Sequence, residues 1–461
     1  MAVASAARPP IGSVVAWVLI VLGVIYLTAL GGGGFFGLYS VTLRIISVVA
    51  LSVVLAIWLV LAWRRSFWRP SSSMFLAFLA ALTALVVACV LSEQPRLGGD
   101  YVAYAFLLTG AYLLLQRLFA HQYFGPRLGA LAVLLGYALC VVFIFRVFSH
   151  WLYFWGVVGR LTVPPLRPGF EGLAYGHPGT FATVVVLLWL ASIAHLGLST
   201  ARARLVTGVL GLMVAFVVVV TSARGAWLGI AVAAFAVAVF WLAAPERRAS
   251  VSALLRSRRV QVALIASFAA FAGMTVILLP AILRRVGAGG EDLRAAFFSA
   301  AVRMFEADPL TGLGPGMWVV ERARYTLPTE QDYYIPHAHN LYLQTVAELG
   351  VIGALAGLVV LAALARLVWL GIRSSDPLAQ RLGWTSLFAL VYLAVHQLVD
   401  FYPNMAALGF LLALLIARLD ALTPAEPLFG AGVAPIGRTM AAALYGVLSG
   451  SGFDAGPCLL A

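Results

Sequence analysis

Apolar runs recur along the whole chain, separated by short polar turns. Most are close to the ~20 residues that cross ~30 Å of hydrocarbon as a helix. Read from these runs alone, about twelve membrane-spanning helices are expected. Their centres fall near Ile20, Leu51, Ala81, Thr109, Tyr137, Leu188, Leu212, Ala234, Phe271, Val359, Val391 and Leu411. The runs are continuous rather than alternating, which excludes a β-barrel. The fold class expected is therefore an all-α polytopic membrane protein. One run stands apart. Leu341 to Leu370 would make roughly 45 Å of helix, more than the hydrocarbon needs. The tenth span is predicted to project outward as a rigid post, with Glu348 at or above the outer interface.

Two polar interruptions are long. One runs over 149–178 and is rich in aromatics, Pro and Gly. The other, 283–340, lies between the ninth and tenth spans. Within it LRAAFFSAAVRMF has helical spacing with an apolar face and reads as an interfacial helix. DPLTGLGPGMW follows as a turn-rich segment. Residues 1–422 read as one transmembrane domain and 423–461 as a Gly/Ala-rich cytoplasmic tail.

Composition agrees with the pattern. The chain is 63% hydrophobic and 10% charged, too apolar for a soluble domain of 461 residues to cover itself. The net charge of +13 would suit a nucleic-acid binder, but its distribution does not. Every basic residue is Arg, and the arginines sit in short loops that alternate with charge-poor ones such as GGGGFFGLYS and DFYPN. That alternation is a topology signal and places both termini in the cytoplasm. The 283–340 loop balances its arginines with acids and is expected outside. Cys89, Cys140 and Cys458 lack metal or redox spacing and read as small hydrophobes.

Candidate chemistry gathers on the outer side. Arg224 stands in the very short turn TSARGAWLG. It either snorkels to headgroups or forks onto phosphate oxygens. Arg294 opens the interfacial helix, with Arg303 further along it and Arg284 and Arg285 just upstream. These form either a solvated basic face or an anion site. Gly312, Gly314 and Gly316 suit a tight turn. Asn340 is a good N-cap, and His337 and His339 precede it. HAHN therefore reads as a cap, as two ligands of a metal clip, or as a general base. Two histidines are too few for a metal, and no Cys or Asp lies close by in sequence, so no metal is expected. His177, in GHPGT, reads as a cap or an accessory ligand.

Taken in order, these residues resemble the bacterial O-antigen ligases. TSA followed by Arg224-x-x-x-Leu228 resembles their short arginine motif. Arg294, fourteen residues, then Pro309-x-x-Gly312-x-Gly314 resembles a region shared by O-antigen ligases and polymerases. His339-Asn340, nine residues, then Gly350-x-x-Gly353 resembles their histidine motif. The resemblance implies a GT-C-like helical scaffold in the bacterial inner membrane, with a periplasmic active site. It implies a metal-independent, inverting glycosyltransferase that uses no cofactor. The donor would be O-antigen on undecaprenyl pyrophosphate and the acceptor lipid A–core, in lipopolysaccharide biosynthesis. His339 would be the base, Arg224 and Arg294 the pyrophosphate ligands, and His337, Asn340, Arg303, Arg285 and His177 accessory. An O-antigen polymerase or a protein O-oligosaccharyltransferase of the same superfamily fits the same motifs. A lipid or polysaccharide transporter would instead need polar groups near the bilayer midplane and repeat symmetry.

Overall fold

The structure is a computed structural model that describes residues 41–64, 72–120, 124–160, 177–243, 257–258, 261–262, 294–327, 336–403 and 405–423. No strand occurs among them. The main helices are α1 (Val41–Arg64), α2 (Phe75–Leu91), α3 (Pro95–Phe119), α4 (Phe124–Val158), α5 (Pro178–Leu196), α6 (Ala201–Val220), α7 (Arg224–Leu242), α8 (Arg294–Ala307), α9 (Leu341–Ile372), α10 (Pro377–His396) and α11 (Ala406–Leu422). A single α turn (Trp318–Glu321) and a 3₁₀ turn (Arg322–Tyr325) lie between α8 and α9. Among the described residues seven helices are long and apolar enough to cross a membrane. The expected spans near Ile20 and Phe271, Arg284 and Arg285, and the tail after Thr423 lie outside the described residues. Every other expected span centre falls inside a helix.

The helices form because their sequences are apolar all round, which suits spans whose outer faces meet lipid. Trp63, Phe145, Leu212 and Phe235 are exposed apolar groups on α1, α4, α6 and α7. The helix α5 differs, being buried along nearly its whole length from Gly179 to Ala194. It packs against α4, α6, α10 and α11 and forms the axis of the core. Cys89 and Cys140 are buried free thiols, as their setting in apolar runs suggested.

The helix α9 is not the straight post that its length suggests. Gly350 breaks it at φ 59°, ψ −157°. The break frees backbone groups that must be paired elsewhere. The segment 309–314 supplies the partners. Val351 and Ile352 donate to the carbonyls of Pro309 and Leu310 at 2.9 and 3.2 Å. Leu313 and Gly314 donate to the carbonyls of Ala347 and Glu348 at 3.1 and 2.9 Å. Pro-x-x-Gly-x-Gly is thus a backbone splint laid across a broken helix. Gly312, at φ +66°, lets the two backbones touch. Glu348 points into the protein. It is buried, and its Oε1 accepts from the Trp318 N–H at 2.9 Å and Gln344 Nε2 at 3.3 Å.

The helix α8 also departs from expectation. Its apolar face, Phe297, Ala300, Ala301 and Met304, is buried with Trp318, Ala338 and Ala347. It packs on α9, so protein rather than a lipid interface covers that face. The reason is tertiary: the splint draws the loop down onto the first turns of α9.

Candidate functional site

One end of the bundle collects the polar groups. The chain enters α9 through His337, Ala338, His339 and Asn340. Asn340 is the cap its sequence predicts, its Oδ1 accepting from the N–H groups of Tyr342 and Leu343 at 2.9 and 3.0 Å. Its amide also donates to the carbonyl of Leu398 at 3.1 Å, and the Leu341 N–H donates to that of Gln397 at 3.0 Å. These bonds pin the segment to the turn that follows α10. Ala338 donates to Gln344 Oε1 at 2.8 Å. His339 takes a left-handed φ of +53°, uncommon for a side chain of this size and usually found where surroundings impose it.

That turn carries Asp400. Its Oδ1 lies 3.7 Å from His339 Nδ1, and its Oδ2 lies 3.8 Å from His177 Nδ1. Both spacings are long for hydrogen bonds and short for charge pairing. Asp400 is buried, and burial alone would raise its pKa. The contact with His339 and the fields of His177 and His396 outweigh burial and hold the carboxyl well below its ordinary range. His337 is driven the other way. Burial first, and then neighbouring His339, lower its pKa to about 3, so it stays neutral. Its ring meets that of His339 edge-on with centroids 4.3 Å apart and lies against Phe401 at 5.7 Å. Phe297 of α8 stacks on His339 at 6.2 Å, and the Arg322 guanidinium sits over the Phe297 ring.

A hydrogen-bonded chain runs inward from here. Tyr402 Oη meets His396 Nε2 at 3.0 Å, His396 Nδ1 meets Tyr392 Oη at 3.2 Å, and Tyr392 Oη meets Thr183 Oγ1 at 2.8 Å. Burial, then the Asp400 charge, push the Tyr402 phenol well above its ordinary pKa, so it remains a neutral donor. The chain ties α5, α10 and the Asp400 turn into one unit.

The predicted site residues separate into groups. His337, His339 and His177 converge on Asp400. His177 stands at the N-cap position of α5 yet makes no side-chain cap bond. Its imidazole turns to the Asp400 carboxylate instead. Arg294, half-buried, opens α8 within electrostatic reach of His396. Arg224 is exposed and opens α7, where the next residue, Gly225, lies so close to His396 that a Cβ would come within 2.5 Å of its ring. Arg303 is not gathered in: its Nε donates to the Tyr325 carbonyl at 2.6 Å and ties α8 to the 3₁₀ turn. Asp400, Tyr402 and His396 carry the site's charge and hydrogen bonding without being singled out by the sequence. The available signal was a lone acid in the otherwise apolar DFYPN turn. The metal count also changes. Asp400 offers a third potential donor beside the His-x-His pair, and one donor atom of each of the three residues lies within 4.8 Å of the others.

Residues 207–358 match the family model described as O-antigen ligase. Over this region, about one third of the chain, the protein is similar to the O-antigen ligase/polymerase superfamily. The comparison with curated proteins gave no match. Arg224, Arg294, His337, His339, Asn340 and the Pro-x-x-Gly-x-Gly splint all fall within the matched region. Asp400, His177 and His396 fall outside it, so the fold completes the region's histidine site with residues from both flanks.

Proposed function

We propose that this protein is an O-antigen ligase working on the periplasmic side of the bacterial inner membrane. It moves O-antigen polysaccharide from undecaprenyl pyrophosphate to a sugar of lipid A–core, with inversion and without a resident metal. The observation that carries this reading is the His339–Asp400 pair. An ionised carboxylate facing Nδ1 keeps the ring proton there and leaves the Nε2 lone pair free to act as base. Strain at φ +53° and the Phe297 ring hold that orientation.

The step balances simply. The acceptor hydroxyl gives its proton to His339 Nε2 as its oxygen attacks the anomeric carbon from the face opposite the pyrophosphate. The carbon–oxygen bond to pyrophosphate breaks, and its electron pair leaves on the phosphate oxygen. Arg224 and Arg294 stabilise that charge. Guanidinium forks fit phosphate oxygens, and preorganised cations act strongly near a low-dielectric boundary. His177 holds the second Asp400 oxygen. Pyrophosphate leaves readily, so a base and cations suffice.

His339→Ala should reduce transfer by about 10²–10⁴-fold, read as loss of full-length O-antigen from lipopolysaccharide on a gel. Normal attachment to core would sink the base assignment. A polymerase fits the same family match, and loss of the gene separates the two. A ligase leaves bare core with lipid-linked polymer accumulating. A polymerase leaves core bearing one repeat unit.

A further inference from the structure

We propose that His337, His339 and Asp400 form a binding site for a divalent cation of the zinc class, and that the bound cation switches off the base. The cation site stands on geometry alone. Its effect on transfer rests on His339 being the base.

The His-x-His pair is folded so that both imidazoles point to one place, because His339 is left-handed and the ring centroids come within 4.3 Å. The Nδ1 atom of His337 is buried and makes no hydrogen bond, and that of His339 is buried with no partner closer than the Asp400 carboxylate. Buried polar atoms are normally satisfied, and an exception asks for a reason. A carboxylate oxygen stands 3.7 Å from one of them. Tetrahedral zinc with bonds of ~2.0–2.1 Å holds its donors ~3.3 Å apart, so a cation between that nitrogen and that oxygen needs little movement. Nitrogen donors favour zinc over magnesium or calcium. Two neutral imidazoles and one carboxylate make a three-ligand set with an open fourth position. Asp400 Oδ1 also accepts from the Phe401 N–H at 2.9 Å, an outer contact that fixes a ligating carboxylate.

The chemical consequence follows from the ring. A cation on Nδ1 of His339 takes the place of its proton, and the proton moves to Nε2. The ring stays neutral overall, but Nε2 becomes a donor and can no longer accept the acceptor's proton.

Cobalt(II) tests this directly. The full-length protein in detergent, freed of metal by EDTA dialysis, is titrated with Co²⁺ and followed in the visible. The expected result is an intense d–d band of low-coordinate cobalt saturating at about one ion per chain and displaced by Zn²⁺. His337→Gln and Asp400→Asn, each checked by its circular-dichroism melt, should bind about 10-fold more weakly or worse. Zn²⁺ should then inhibit transfer by the wild type, and EDTA should restore it. Only the weak spectrum of six-coordinate cobalt, or equal affinity in a folded variant, overturns the site. If the band forms while His339→Ala retains transfer, the cation site survives and the base assignment fails.

Discussion

Gly312→Ala tests whether the splint across α9 holds the site together. A Cβ at this position would lie 2.4 Å from the Glu348 carbonyl carbon and 2.5 Å from the Leu349 nitrogen. Both are backbone atoms, so no side chain can swing aside. The left-handed φ of +66° costs a non-glycine residue about 1–2 kcal/mol. Relieving the overlap adds about 1–3 kcal/mol. Moving the segment away would also weaken the bonds from Leu313 and Gly314 to the Ala347 and Glu348 carbonyls, worth about 0.5–1.5 kcal/mol each. A loss of about 3 kcal/mol or more follows from these effects together. Gly357→Ala is the control. It lies on the same helix with nothing within 4 Å of an added Cβ, and helix propensity favours alanine there by about 1 kcal/mol. Denaturant melts of both variants in one detergent provide the comparison. Gly312→Ala should melt well below the wild type and Gly357→Ala at or above it. Equal melting of Gly312→Ala and wild type would refute the splint.

Three further outcomes are expected. Asp400→Asn should keep the fold yet lower the transfer rate by about 10²-fold or more, and an unchanged rate in a reconstituted assay would remove Asp400 from the site. His337 has a folded pKa of about 3, below its ordinary 6.5. The unfolded chain therefore binds more protons between those values, and stability should fall as pH drops from about 6.5 toward 4. A melting series over that range should be flatter for His337→Gln, and parallel curves would contradict the buried neutral histidine. At the opposite end of the bundle Asp420 accepts from Ser72 Oγ at 2.5 Å, from the Ser73 backbone N–H and Oγ at 3.1 and 2.6 Å, and from Tyr112 Oη at 3.2 Å. Asp420→Asn should cost about 1.5–3 kcal/mol per weakened charged bond while KM per folded molecule stays unchanged, and a shifted KM would show coupling to the site.

The described apolar helices were legible because hydrophobicity over ~20 residues is a local property. Asn340 as a cap was legible for the same reason, since a cap acts on N–H groups two and three residues away. The spaced motifs were legible as a pattern, but their work was not. Pro309, Gly312 and Gly314 look like a turn in sequence. In the fold they mend the break at Gly350.

By itself the sequence determined long apolar runs suited to helices, and an ordered set of Arg, Gly and His motifs between Thr221 and Gly353. Only the tertiary structure decided what those residues face. It brought Asp400, from the turn after α10, between His339 and His177. It buried Glu348 under Trp318 and laid the apolar face of α8 on protein rather than lipid. The physical reason is range. Burial of a short hydrophobic run is encoded where it stands. A carboxylate's pairing depends on which helix ends pack side by side, and no periodicity along the chain records that.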